Sequence, residues 1–306
     1  MKITKKFIQV SDGHEIFCEV YEPKNPTAHI HIIHGMAEHI ARYEEFIRYL
    51  TSRGFTVSGH DQRGHGRTAE RNGVEGFFAE QNGFDRVVED VREVIMEVQL
   101  QIGELPLVLF GHSMGSFVGR RYIQLYGDSI KRALFSGTGE DPGVAGKAGI
   151  QLAKANGKAN GKTAKSPSIS SLVFGPFNKD FKEEGSAYAW LSSDASEVAK
   201  YEADPMCGFI VTNQFFADLF SGMLLINKRS EVDKIRKDLP ILLISGADDP
   251  VGHKGKDLFA AARLYKEAGI LDVTVYLGEG GRHELLHEVD KERYFTVMGD
   301  WMAKND

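Results

Sequence analysis

The chain has 306 residues, 42% hydrophobic and 26% charged, a balance that supports a substantial core in one large domain or at most two. A net charge of −6 leaves no basic footprint for nucleic acid, and no stretch approaches the roughly 18 apolar residues of a membrane span. Only Cys18 and Cys207 are present, too few for a disulfide framework or a cysteine metal site, and the N-terminus has no signal-peptide apolar region, so a cytoplasmic protein with free thiols is expected.

Along the chain, Lys6–Val10 and Glu15–Tyr21 flank a Ser-Asp-Gly turn and predict a β-hairpin. Ala28–His34 and Phe55–Gly59 are short apolar runs of strand type. Between them, Arg42–Arg53 places Tyr43, Phe46, Ile47 and Leu50 at the i, i+3, i+4, i+7 spacing of a helix with one buried stripe. Phe84–Ile102 predicts a helix, Pro106–Phe110 a strand, Ser113–Tyr126 a helix and Ile130–Ser136 a strand. Pro240–Ser245 (strand), Lys256–Ala268 (helix), Val273–Leu277 (strand) and Glu284–Met302 (helix) complete the series. This alternation predicts an α/β fold, a mostly parallel central sheet with helices on both faces.

The interval 140–237 breaks that rhythm and reads as a helical cap inserted into a core made of residues 1–139 and 238–306. Its first part, Gly143–Ser166, carries Lys147, Lys154, Lys158, Lys162 and Lys165 without an acidic residue. That composition suggests a solvated, mobile lid, with a basic flap touching an anionic membrane surface as the sharper alternative. Its second part is rich in aromatic residues, among them Phe174, Phe177, Tyr188, Trp190, Phe215 and Phe216, and would pack over a site.

The chemistry concentrates at Gly111-His112-Ser113-Met114-Gly115, a G-x-S-x-G fragment with an apolar strand before it and a helix after it. The glycines remove side chains at a sharp strand-to-helix turn that exposes Ser113 as a nucleophile. In this arrangement an acid and then a histidine follow on later loops. Asp248 and Asp249 both follow the strand ILLIS; the one not used would cap the next helix. His283 follows VTVYL on a glycine-rich loop and alone among the eleven histidines has both the position and the chain order. His112 reads as a packing or hydrogen-bonding neighbour. The backbone N–H groups of Met36, after Gly35, and of Met114 would form the oxyanion hole, leaving both methionine side chains free to line an acyl pocket. His283-Glu284-Leu285-Leu286-His287 also satisfies the H-E-x-x-H zinc pattern, but a zinc site would leave Ser113 and Asp249 idle.

HGMAEHIARYEEF, GHDQRGHGRT, GHSMG, SGADDPVG and GGRHELLHE, in that order, resemble the monoacylglycerol lipase and lysophospholipase branch of the α/β-hydrolases, serine hydrolases of the S33 aminopeptidase type. The resemblance implies Asp249 as the triad acid, the Met36 and Met114 amides as oxyanion hole, the insertion as a lid, and no cofactor or metal. It further implies an ester substrate that is small or lipid-like, with monoacylglycerols and lysophospholipids ahead of aryl or short-chain esters and of peptides cut by proline-type aminopeptidases. A binding protein that has lost turnover would show a broken triad, and here every element is present. Gly35, Glu38 and His112 are candidates for substrate contact; for Glu38 the competing reading is an i, i+4 pair with Arg42. In Asp61–Thr68 the expectation is an internally bonded loop with Asp61 and Arg63 paired, with contact to substrate as the alternative. No motif specifies an oligomeric state.

Overall fold

Strands covered on both faces need apolar or small residues at nearly every position, and the middle of this chain supplies them. The computed structural model describes residues 1–304. One sheet contains β1 (Lys2–Gln9), β2 (Glu15–Glu22), β3 (Ala28–Ile33), β4 (Phe55–His60), β5 (Leu107–His112), β6 (Arg132–Ser136), β7 (Ile241–Gly246) and β8 (Val273–Gly278). Their order is β1-β2-β4-β3-β5-β6-β7-β8; the β1–β2 and β2–β4 pairings are antiparallel and all others parallel. The helices are α1 (Glu44–Ser52), α2 (Gly66–Asn72), α3 (Gly83–Ile102), α4 (Met114–Tyr126), α5 (Gly143–Asn160), α6 (Pro167–Phe174), α7 (Ala195–Ala203), α8 (Asn213–Ile226), α9 (Arg229–Val232), α10 (Lys256–Glu267) and α11 (Lys291–Ala303).

Successive strand residues point to opposite faces, so each strand feeds two cores. Leu107, Leu109, Phe135 and Leu243 meet α3, α4, α8 and α10, whereas Val108, Phe110, Leu134 and Leu242 meet α1 and α11. The parallel register carries β5, β7 and β8 to one end of the sheet, where their following loops converge.

Three expectations are corrected. The basic stretch after residue 142 is not a loose segment: it forms α5, which packs Ala153 into the core and lays Gly149 against the ring of Phe220 on α8. Tertiary packing outweighs the low helix propensity of its glycines. Lys162 and Lys165 pair with Glu80 and Glu75, while Lys147, Lys154 and Lys158 stay exposed. The helix expected from Glu284 instead begins at Lys291, after a single 3-10 turn at Leu285–His287. Glu288 stands between them in extended backbone, its carboxylate taking the N–H groups of Arg282 and Ser193. Finally, Arg63 pairs with Asp90 and Asp12 rather than with Asp61, whose carboxylate accepts the N–H groups of Ile40 and Arg67. Helix α2 is too short and too poor in apolar residues to leave a helical period in the sequence.

Between β3 and β4 lies a buried imidazole chain. His29 Nε2 and His31 Nδ1 meet Ser58 Oγ at 2.6 and 2.7 Å, and His31 Nε2 meets His60 Nδ1 at 3.0 Å. Burial lowers all three histidines, His29 and His60 to about 3 and His31 well below its ordinary value. Each therefore stays neutral when folded while the unfolded chain protonates near the ordinary 6.5. Stability from this source is whole above that value and falls as the solution is acidified, by about 1.4 kcal/mol per pH unit for each histidine. Chemical denaturation between neutrality and about pH 4 should show this decline, and His29→Gln should make it shallower by about 1.4 kcal/mol per pH unit. An unchanged slope in that variant would mean that the His29 ring takes up protons in the folded state.

Candidate active site

The chain leaves β5 at His112 and enters α4 at Met114, so Ser113 alone makes the turn. Its backbone sits at φ 51° and ψ −120°, a region that costs a non-glycine residue roughly 1–3 kcal/mol. The Ser113 N–H donates to Ser136 O at 2.8 Å, extending the β5–β6 ladder into the turn. A Cβ on Gly111 would lie 2.4 Å from Gly115 O, and one on Gly115 would lie 2.1 Å from Ile33 O. Only glycine fits at either position.

Asp249 follows β7 and is fully buried. It accepts from Ser245 Oγ and, at 2.9 Å, from the Val251 N–H, and both of its oxygens stand 3.0 Å from His283 Nδ1. Burial alone would raise the Asp249 carboxyl; the imidazole and these donors instead hold it below the usual carboxylate range. Burial likewise opposes charge on His283, yet the Asp249 carboxylate outweighs it and raises the imidazole above 6.5. Asp248 is exposed and caps nothing, because α10 begins at Lys256 behind Gly255.

With Nδ1 committed to Asp249, His283 has Nε2 left for the cavity that Ser113 also lines. No hydrogen bond joins Ser113 to His283 among the described residues; catalytic bonds of this type commonly tighten only around substrate. The cavity measures about 440 Å³, and Met36, Phe174, Tyr188 and Trp190 contribute to its wall. Trp190 of the inserted segment packs on the His283 ring with centroids 5.1 Å apart. Met114 differs from expectation: its side chain is 2% exposed in the core under α4 and does not line the cavity.

The loop after β3 is braced by buried charge. Glu38 accepts from the Gly35 N–H, from Tyr43 Oη at 2.8 Å and from Arg42 at 2.6 Å. Arg42 also grips Glu284 through two bonds of 2.7 Å. Burial would raise Glu38, but Arg42 and the other donors keep it below its ordinary value. A Cβ on Gly35 would stand 2.6 Å from Glu38 Oε1 and 3.3 Å from Ser113 Cβ. Glu38 borders the cavity with its oxygens already taken, so it shapes the loop rather than offering a free carboxylate. His112 is lowered to about 4, first by burial and then by the nearby His283, and packs on that ring at 4.8 Å as a neutral neighbour.

The zinc pattern dissolves in three dimensions. His283 turns to Asp249, Glu284 to Arg42, and the His287 Nε2–H donates to Arg42 O at 3.1 Å. The Arg42–Glu284 contact spans 242 positions of sequence and leaves no spacing signal, and neither does the tilted contact of Trp190 with His283. Breaking a buried ion pair on one side leaves the other charge uncompensated, at a cost of about 3–5 kcal/mol. Arg42→Met strands both Glu38 and Glu284, so urea denaturation should register a loss of that order. A change under about 1 kcal/mol, the value of an exposed pair, would contradict this account.

Residues 24–290 match the model of a family described as serine aminopeptidase, S33. The chain is 28% identical to monoglyceride lipase of Homo sapiens, with 96% of this chain and 88% of that protein aligned. Among solved structures it resembles a thermostable carboxyl esterase from Bacillus coagulans in fold, with a TM-score of 0.90 at 24% identity, covering 99% of this chain and 98% of that one. A second neighbour, described as a lipase in open form, gives a TM-score of 0.87 at 28% identity over 99% of this chain and 100% of the other. The strand order, the turn at Ser113 and the family match together identify the chain as a member of the serine aminopeptidase S33 family of α/β-hydrolases.

Proposed function

We propose that the protein is a serine hydrolase that cleaves carboxylic esters of monoacylglycerol type through an acyl-enzyme on Ser113. The observation that carries this reading is the Asp249–His283 pair, at 3.0 Å, on the same cavity as a serine held at φ 51°. In the proposed reaction His283 Nε2 takes the Ser113 proton as Oγ attacks the ester carbonyl, and Asp249 holds the ring and stabilises its charged form. The N–H groups of Met36 and Met114 receive the oxyanion, each worth roughly 3 kcal/mol in the transition state. The protonated His283 gives its proton to the departing alcohol. Water, deprotonated by the same ring, then releases the acid and restores Ser113.

The substrate class draws support from the aromatic wall of the cavity, which suits an acyl chain, and from relatives named monoglyceride lipases. An aminopeptidase needs an unpaired carboxylate for the substrate's amino group. The acidic residues lining this cavity, Glu38 and Glu284, are both engaged by Arg42. Ester cleavage is therefore the better fit. Residues 140–237 act as the cap in this proposal, and the exposed Lys147, Lys154 and Lys158, with exposed Val144, form the face it offers to an anionic bilayer.

Ser113→Ala should abolish hydrolysis of monoacylglycerols and p-nitrophenyl esters and prevent fluorophosphonate labelling, with the fold retained by circular dichroism; residual turnover near the parent level would reject the mechanism. Because His283 acts as a base only when neutral, kcat/KM should rise with pH through a single ionisation above 6.5. Asp249→Asn should lower kcat by ~10⁴-fold. For the membrane face, sedimentation with anionic vesicles should exceed that with neutral ones, and Lys147→Glu with Lys154→Glu should remove the difference; equal binding to both vesicle types would discard that surface.

A further inference from the structure

Asp204 closes α7, and the turn after it doubles back. Its Oδ1 accepts the Met206 N–H at 2.9 Å and its carbonyl accepts the Cys207 N–H at 3.0 Å, which returns the Cys207 side chain to the Asp204 carboxylate. The other carboxylate oxygen meets His39 Nε2 at 2.8 Å. His39 is 7% exposed and its Nδ1 has no partner. An imidazole nitrogen, a carboxylate oxygen and a thiol sulfur thus lie within 4.8 Å of one another, on two segments far apart in sequence.

We propose that His39, Asp204 and Cys207 form a binding site for a divalent cation of the zinc class. Nitrogen, oxygen and sulfur donors suit this borderline-soft ion, and three protein ligands leave a fourth, tetrahedral position for water. On binding, the Cys207 S–H bond breaks and its proton goes to solvent, the His39 proton shared with Asp204 moves from Nε2 to the unpartnered Nδ1, the thiolate and the freed Nε2 donate to the ion, and nothing is oxidised or reduced. Thiolate plus carboxylate then balance the dication. Arg42, the cation that acts on the Cys207 sulfur, is already matched by Glu38 and Glu284.

The frame is in place beforehand. Ala37 O accepts both Tyr201 Oη and the Gly208 N–H at 2.9 Å, so the segment bearing Asp204 and Cys207 is fixed against the loop bearing His39. The Asp204 side chain is 32% exposed and borders a cavity of about 200 Å³, so one of the three ligands is open to solvent. A bound ion would clasp the inserted segment to the loop that carries Gly35 and Met36, adding a coordinate bond to contacts that are now hydrogen bonds.

The test is titration of the purified, chelator-treated full chain with Co²⁺ and then Zn²⁺. One equivalent of Co²⁺ should produce a thiolate-to-cobalt charge-transfer band, Zn²⁺ should bleach it, and Zn²⁺ should raise the thermal midpoint. Cys207→Ser should lose both the band and the midpoint shift, whereas Cys18→Ser should keep them. Asp204→Asn should weaken Zn²⁺ at least about tenfold, since even outer-shell changes cost 10–100-fold. Absence of the band and of the midpoint shift in the parent chain would overturn the site, as would a band that survives in Cys207→Ser. His39→Gln should weaken Zn²⁺ as Asp204→Asn does, and should it fail to fold, the Cys207→Ser comparison still decides.

Discussion

The turn from β5 into α4 can be made only where neighbouring backbones approach closer than a side chain permits. Gly115 lies against the Ile33 carbonyl and Gly111 against Gly115 itself, so strand, turn and helix interlock without a Cβ between them. That contact allows Ser113 to hold a backbone conformation it would avoid in isolation, and the ladder bond from its N–H to Ser136 keeps it there. Every other part of the candidate site is arranged around this point. The loops after β3, β7 and β8 reach it because parallel strands deliver their carboxyl ends to one edge.

Charge burial does the rest of the positioning. Asp249 is surrounded by donors and faces one imidazole, so its charge is stabilised where it can orient His283. Arg42, with Glu38 on one side and Glu284 on the other, ties the loop after β3 to the residue that follows His283. Two candidate elements, the amide of Met36 and the imidazole of His283, are thereby held by one guanidinium. The same pairing explains why an H-E-x-x-H sequence does not become a metal site: its glutamate is consumed by an arginine, and its residues lie on a broken turn rather than one helix face.

The inserted segment shows how composition can mislead. Lysines and glycines without acids suggested solvated chain, yet small residues let α5 lie close against α8, and two of the lysines find acidic partners on neighbouring loops. Its aromatic half behaves more nearly as expected, placing Trp190 over His283 and Tyr201 beneath Ala37 O.

Legible in the sequence alone were the strand–helix alternation, the elbow around Ser113 and the order serine, aspartate, histidine. These are local patterns: a period of two or 3.6, a glycine pair at fixed spacing, a carboxylate just past a strand. Tertiary structure decided which neighbouring aspartate faces inward, because one residue of backbone rotation exposes Asp248 and buries Asp249. It also decided that Arg42 serves Glu284 as well as Glu38, that Met114 belongs to the core, and that His39 meets Asp204 and Cys207. Such contacts join residues up to 242 positions apart, and their partners are chosen by packing after the chain has closed. Sequence spacing carries no trace of them, since only the folded path sets the distance between their atoms.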